Sequence, residues 1–408
     1  MQVVSEHVLR ATLSALAGVP RVVSSGNFAT PSQLLHVVDS ALPAYRLNML
    51  NAQPGVPERE GVELETSFVG PGMRHSPRLR YLPCRLSLVP RLLATSLPPD
   101  VVLVHTSTVR GDTVSLGTEV NVMPAAIEEV RRRGGLVIAQ LNPNMPYTFG
   151  DAVIPVDHVD YALEVEQSLQ SPGVIHVDDS ALRIGQLVAD RVPDGATIQT
   201  GIGAVPDATL LGLTERRQLA VWTEMFSDGV LALERAGSLD PSILVTASFL
   251  FGSQELYEWV DGNERVQMLR TEKTNDPALI KANRLMVSVN SALQVDLFAQ
   301  ANASRIGRRI YSGTGGQTDF VVGAMHSAGG QALVALRSWH PRADCSTIVP
   351  LVDEPVTSSQ MSAVVTEQGV AELFGQDQKA QARNLIEQAA HPSVREELWE
   401  EAEALSLT

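Results

Sequence analysis

The feature that most constrains this chain is a recurring short run of β-branched and aliphatic residues without polar alternation. The clearest cases are 101–105 (VVLVH), 136–141 (LVIAQL), 197–203 (TIQTGIG) and 243–251 (ILVTASFLF). A half-buried strand alternates polar and apolar residues, so unalternating runs suit strands covered on both faces, as in a mostly parallel sheet flanked by helices. Helical stretches separate them at 125–133, 180–191 and 367–374, the second with Ser180 in the N-cap position. The fold class predicted is α/β with mostly parallel sheets.

A length of 408 residues exceeds a single domain of roughly 150 residues, so two or three are expected. The polar stretch 167–177, with Pro172 and Gly173, reads as a boundary. It divides the chain into an N-terminal α/β domain, 1–175, and a C-terminal α/β domain, 176–408. A second Pro- and Gly-rich region, 43–72, reads as a long surface connection inside the first half.

Thirty-one Lys and Arg oppose 46 Asp and Glu, a net charge of −15. That balance argues against nucleic acid and anionic membrane as partners, since phosphate surfaces select clustered cations. Arg131-Arg132-Arg133 is too local to reverse it. Cys84 and Cys345 are the only cysteines, too few for a disulfide framework or a thiolate zinc site, which fits a reducing compartment. The N-terminus lacks the parts of a secretory signal. No apolar run approaches the ~18 residues of a membrane span. The expected location is the cytoplasm.

Three segments could carry chemistry. Gly201-Ile202-Gly203-Ala204-Val205-Pro206-Asp207 follows a strand and leads into a helix, a junction that lets a ligand approach main-chain N–H groups. It lacks the third glycine of a dinucleotide fingerprint, and a plain tight turn is an equal reading. Trp222-Thr223-Glu224-Met225-Phe226-Ser227-Asp228-Gly229 follows the apolar residues 219–221. A carboxylate at the end of a buried strand is costly unless paired or functional, and strand ends are where ligands meet α/β sheets. The plainer reading is a Glu or Asp capping a helix that begins near Ser227. Ser312-Gly313-Thr314-Gly315-Gly316-Gln317-Thr318-Asp319 places three glycines in four positions. Backbone N–H groups can converge there without Cβ interference, as an oxyanion pocket requires; a flexible loop is the other reading. His105, His158, His326 and His340 are scattered without metal spacing. Ser291 and Ser312 have no Gly-x-Ser-x-Gly frame.

Together these segments resemble the acetyl-CoA hydrolase/transferase family, and within it the 4-hydroxybutyrate CoA-transferases. The likeness extends over nearly the whole chain. It includes Asn142-Pro143-Asn144-Met145-Pro146, 246–252 (TASFLFG), 290–297 (NSALQVDL) and 365–373 (VTEQGVAEL). The resemblance implies two CoA-transferase-type domains with the active site between them. It implies that Glu224 is the catalytic glutamate and that Gly201, Ile202, Gly203, Ala204 and Val205 contact CoA. It also implies oxyanion N–H groups from Val205 and Gly316, Ser312 as a CoA neighbour, and a homodimer. CoA and acyl-CoA enter as substrates beside a short carboxylic acid, with no metal and no bound cofactor.

The chain departs from the family at several points. Thr357-Ser358-Ser359-Gln360 stands for the usual Thr-Thr-Ser-Arg, and Gln368 stands for a Tyr. Residues 335–347 (ALRSWHPRADCST) are bulky or charged where small residues are common. The expected reaction is CoA transfer through a glutamyl-CoA thioester. Acyl-CoA hydrolysis at the same site is the near alternative, and a non-catalytic acyl-CoA-binding protein the distant one.

Overall fold

In the computed structural model, which describes residues 1–173 and 176–408, the unalternating runs at 101–105, 136–141 and 197–203 supply strands of two mostly parallel sheets. The chain divides into two units of comparable size, each assembled from separate stretches. Unit 1 takes residues 1–172, 246–274 and 311–315; unit 2 takes 173–245, 275–310 and 316–408. The division expected at 175/176 falls on Val174 and Ile175, which lie outside the described residues.

Unit 1 is built on eight strands: β1 (Gln2–Val3), β2 (Arg21–Ser24), β3 (Tyr45–Asn48), β4 (Val62–Thr66), β5 (Leu79–Tyr81), β6 (Val101–Thr106), β7 (Leu136–Leu141) and β8 (Tyr161–Glu164). They lie in the order β1-β8-β7-β6-β2-β3-β4-β5, and every pairing is parallel. All six residues of β6 are buried, as the missing alternation requires. Helix Ser32–Ala41 buries Leu34, Leu35, Val37 and Val38, a stripe at helical spacing. They join Val22, Leu47, Leu64 and Leu103 in one core, each fully buried side chain contributing about 1.5–3 kcal/mol relative to exposure.

Unit 2 holds β9 (Thr197–Thr200), β10 (Ala220–Val221), β11 (Met286–Asn290), β12 (Gln331–Ala335), β13 (Ala363–Thr366) and β14 (Gly369–Glu372). Their order is β10-β9-β11-β12-β13-β14, parallel except for the closing β13–β14 pair. One core gathers Val295, Val334, Val364, Leu385 and Leu398; a second joins Ile280, Met286, Phe320 and Ala332.

Four expectations are corrected. Residues 367–374 hold a turn and strand β14 (Gly369–Glu372), not a helix. Thr366 Oγ1 accepts the Gln368 N–H at 3.2 Å, closing a turn that sends the chain back antiparallel. Helix Asp179–Ala189 is capped by Asp178, not Ser180; the Asp178 carboxylate accepts the Ala181 N–H at 3.0 Å and sits at the positive end of the helix dipole. Region 43–72 is no surface connection, because it contributes β3 and β4, both largely buried. The run 243–251 breaks into Val245–Ala247 and Phe249–Leu250, which join two different small sheets. Between them the Ser248 carbonyl accepts the N–H groups of Val120 and Asn121, each at 3.1 Å.

Candidate active site

In unit 2 the parallel strands β10, β9, β11 and β12 are consecutive neighbours, so their carboxyl ends line one edge of the sheet in that order. Such an edge is where ligands bind open α/β sheets. The row of segments leaving it is Trp222–Glu224 after β10, Gly201–Gly203 after β9, Ser291 after β11 and Leu336-Arg337 after β12.

Glu224 is fixed by the turn that carries it. The Trp222 N–H donates to the Ile198 carbonyl at 3.2 Å, extending the pairing of β10 with β9. Buried Thr223 places its hydroxyl 2.8 Å from the Met225 carbonyl and 3.3 Å from that of Thr200. Asn275, fully buried, donates from Nδ2 to Glu224 Oε2 at 2.6 Å. Close to both stands Gly316, the N-cap of helix Gln317–His326. Its φ of −99° is open to any residue. What requires glycine is space: a Cβ there would collide with Glu224 Oε2 and Asn275 Nδ2. The left-handed conformation belongs to Gly315, at φ +59°.

Burial pushes the Glu224 carboxyl up to about 7, with the Asp319 carboxylate adding to the rise and the Asn275 amide opposing it. Asp319 is itself fully buried in the first turn of the helix that Gly316 opens. The result is a carboxylate that is oriented by one donor, more basic than usual, and approached by bare backbone. A more basic carboxylate is a better nucleophile once ionised.

The Gly201–Val205 segment leaves the neighbouring strand β9. Gly203 adopts φ +114° and ψ −179°, a region that suits glycine, while a Cβ on either Gly201 or Gly203 would meet nothing within 4 Å. Ile202 is exposed. Ala204 and Val205 open helix Ala204–Gly212, whose first backbone bond runs from the Asp207 N–H to the Gly203 carbonyl at 2.9 Å. Helix geometry leaves the Ala204 and Val205 N–H groups without intrahelical acceptors. The turn borders a depression of about 250 Å³ that also takes in Ser291, Leu293, Arg337 and His340.

Ser312 lies in the stretch assigned to unit 1, where its carbonyl accepts the Val69 N–H at 2.7 Å. Glu224, Gly316 and the Gly201–Val205 turn all belong to unit 2. Two residues at the carboxylate escaped the sequence reading. Asn275 precedes Asp276, which caps helix Pro277–Ala282; Asn-Asp-Pro announces a helix start but says nothing of a carboxylate far away in sequence. Asp319 lies inside the glycine-rich segment, where its sequence position alone suggests no role.

His105 is a core histidine. Burial holds it down to about 4, against backbone contacts from Ala29 and Thr30, and Nε2 lies 3.1 Å from Asn142 Nδ2. Among the described residues no group of three or more His, Cys, Asp or Glu could hold a metal ion, and no helix is long and apolar enough to cross a membrane.

Residues 252–402 match the acetyl-CoA hydrolase/transferase C-terminal domain. The chain is 36% identical over 413 aligned positions to the 4-hydroxybutyrate coenzyme A transferase of Clostridium kluyveri, covering 95% of each protein. Among solved structures it is similar to the 4-hydroxybutyrate CoA-transferase of Porphyromonas gingivalis, with a TM-score of 0.83, 30% identity, and 99% and 98% of the two chains covered. RipA from Yersinia pestis superimposes with a TM-score of 0.92 at 26% identity, covering 100% and 98%. With the strand-end carboxylate and its glycine neighbour in place, this likeness over the full length means that the chain belongs to the acetyl-CoA hydrolase/transferase family and is an enzyme of that family.

Proposed function

We propose that this chain transfers CoA between a short-chain acyl-CoA, such as acetyl-CoA, and a carboxylic acid of the 4-hydroxybutyrate type, through a thioester formed on Glu224. The observation that carries the reading is the Glu224 carboxylate held by Asn275 against Gly316, at the end of a parallel strand.

In the first step a Glu224 oxygen attacks the thioester carbonyl. The C=O electrons move onto oxygen, and the backbone N–H groups of Val205 and Gly316 receive that oxyanion. Each such donor supplies about 2.7–4 kcal/mol of transition-state stabilisation. Collapse breaks the C–S bond, leaving a glutamyl–acyl anhydride and CoA thiolate. The thiolate then attacks Glu224 Cδ and expels the first acid as its carboxylate, which leaves glutamyl-CoA. A second carboxylate runs the sequence in reverse and departs as its CoA thioester, restoring Glu224. No proton or electron is gained or lost overall, and the thioester bond is conserved.

The test is a panel of short acids incubated with acetyl-CoA, following both new thioesters and free thiol. Acid-dependent formation of a new acyl-CoA is expected. Thiol release independent of acid would make the enzyme a hydrolase at the same site, and binding without turnover would overturn catalysis altogether.

A further inference from the structure

The segment that departs most from the family, 335–347, leaves β12 as an antiparallel hairpin of Trp339–His340 and Cys345–Ser346. It is firmly held. The Ser338 N–H donates to Glu367 Oε2 at 2.9 Å, and the Thr347 N–H to the Ser338 carbonyl at 3.1 Å. Trp339 Nε1 donates to Asp344 Oδ1 at 3.1 Å, with the indole packed 5.1 Å from the His391 ring. Together with the Gly201–Val205 turn and the loop after β11, this hairpin walls the depression of about 250 Å³.

The walls differ in chemistry. Ile202, Leu293 and Leu336 are apolar, whereas Arg337 and His340 supply polar lining to the same depression, Arg337 just after β12, the strand of the four-strand row farthest from β10. Arg337 Nη1 is braced by Asp178 Oδ2 at 2.6 Å, which fixes the guanidinium while the rest of its five-donor fork has no protein hydrogen bond among the described residues. His340 Nδ1 accepts the Ala343 N–H at 3.0 Å, so Nε2 carries the proton and is a donor. Two braced donors beside an apolar trough suit a phosphate at the end of a largely uncharged arm.

The spacing agrees. From β10, which carries Glu224, to β12, which carries Arg337, there are three strand intervals of about 4.8 Å, or roughly 14 Å. The pantetheine arm of CoA has the reach of about four extended residues, also roughly 14 Å.

We infer that Arg337 and His340 grip the phosphate-bearing end of the CoA thioester, with its pantetheine arm laid across the strand ends so that the thioester meets Glu224. The inference rests on the CoA-transfer reading and adds which residues set the enzyme's demand for the nucleotide end of its substrate.

The experiment compares wild type with Arg337→Ala, Arg337→Lys, His340→Ala and the Arg337→Ala/His340→Ala double variant. Each is assayed with acetyl-CoA, acetyl-dephospho-CoA and S-acetylpantetheine, and each is titrated calorimetrically with free CoA and pantetheine. For the double variant, the preference of kcat/KM for acetyl-CoA over S-acetylpantetheine should shrink at least about tenfold, mainly through KM, as expected for lost charge-assisted bonds. Arg337→Lys should restore part of it. If acetyl-dephospho-CoA shows the same loss as acetyl-CoA, the diphosphate is the group held; if it is spared, the 3′-phosphate is. Equal losses on acetyl-CoA and S-acetylpantetheine, or none, would overturn the assignment. Calorimetry separates the two readings: a wild type that binds CoA but transfers nothing, with variants that lose only CoA binding, retains the hairpin assignment and ends the transferase one. A wild type that binds CoA no better than pantetheine would refute the assignment.

Discussion

Asn275 Nδ2 lies 2.6 Å from Glu224 Oε2, and this one donor is what offsets the burial of the Glu224 carboxyl. With that carboxyl pushed up to about 7 and active only when ionised, kcat/KM should rise with pH through about 7 and level off above. Removing the donor in Asn275→Ala leaves burial and Asp319 unopposed, so the acid limb should move to higher pH. A limb that stays near 4.5, or an Asn275→Ala profile shifted downward, would contradict this account.

Covalent chemistry on Glu224 predicts a mass change. Incubation with acyl-CoA followed by borohydride should reduce a glutamyl thioester, and peptide mapping should place the change at Glu224. Glu224→Gln should lose at least roughly 10⁴-fold in kcat, as removal of a catalytic nucleophile does. Full turnover by that variant would end the proposed mechanism.

The same substitution carries a stability signature. The folded-state value of about 7 exceeds the ordinary 4.5, so the folded chain holds the Glu224 proton more tightly than the unfolded one. That contributes stability below pH 4.5, and the contribution is lost as pH rises through 7. Glu224→Gln should therefore melt above wild type at pH 8, by roughly 1–3 °C, with the gap closing toward pH 5. Calorimetric scans at the two pH values check the sign.

Gly316→Ala isolates space from backbone conformation, because φ −99° admits alanine. The added methyl must displace Glu224 or Asn275, so turnover should fall at least about a hundredfold, the scale of one lost oxyanion donor. Affinity for free CoA should change far less, and circular dichroism should show an intact fold. Normal turnover would mean that Gly316 does not frame the reacting centre.

Initial-rate patterns offer a separate check. If the first acid leaves before the second binds, double-reciprocal plots against acetyl-CoA at several acid concentrations should be parallel. Intersecting lines would require a ternary complex and exclude glutamyl-CoA as an obligatory intermediate.

The parallel architecture was legible because its signal is local and one-dimensional: a run such as 101–106 can be buried on both faces only in a sheet of that kind. Gly316 was legible as part of a glycine cluster, though the reason it must be glycine was not, since the obstacle is a side chain from a different strand end. Asn275 was invisible for the same cause. Its partner Glu224 lies 51 residues away in sequence, and no periodicity encodes a pairing of that span. Strand β14 was misread because Val370 and Leu373, three residues apart, imitate one face of a helix. The turn that decides the matter depends on a single Thr366 hydroxyl.

Unit 1 draws its residues from 1–172 and also from 246–274 and 311–315, and this has a consequence for how the protein is made. At about 5–20 residues per second, a ribosome reaches Tyr311 roughly 7–28 s after Pro172. During that interval the eight-stranded sheet has emerged without the segment whose Ser312 and Gly315 carbonyls take up the N–H groups of Val69 and Leu86. Vectorial synthesis therefore leaves those N–H groups open until most of the chain exists. The final closure of unit 1 is a late event of long sequence separation, the kind that slows folding and leaves nascent chains dependent on protection from aggregation.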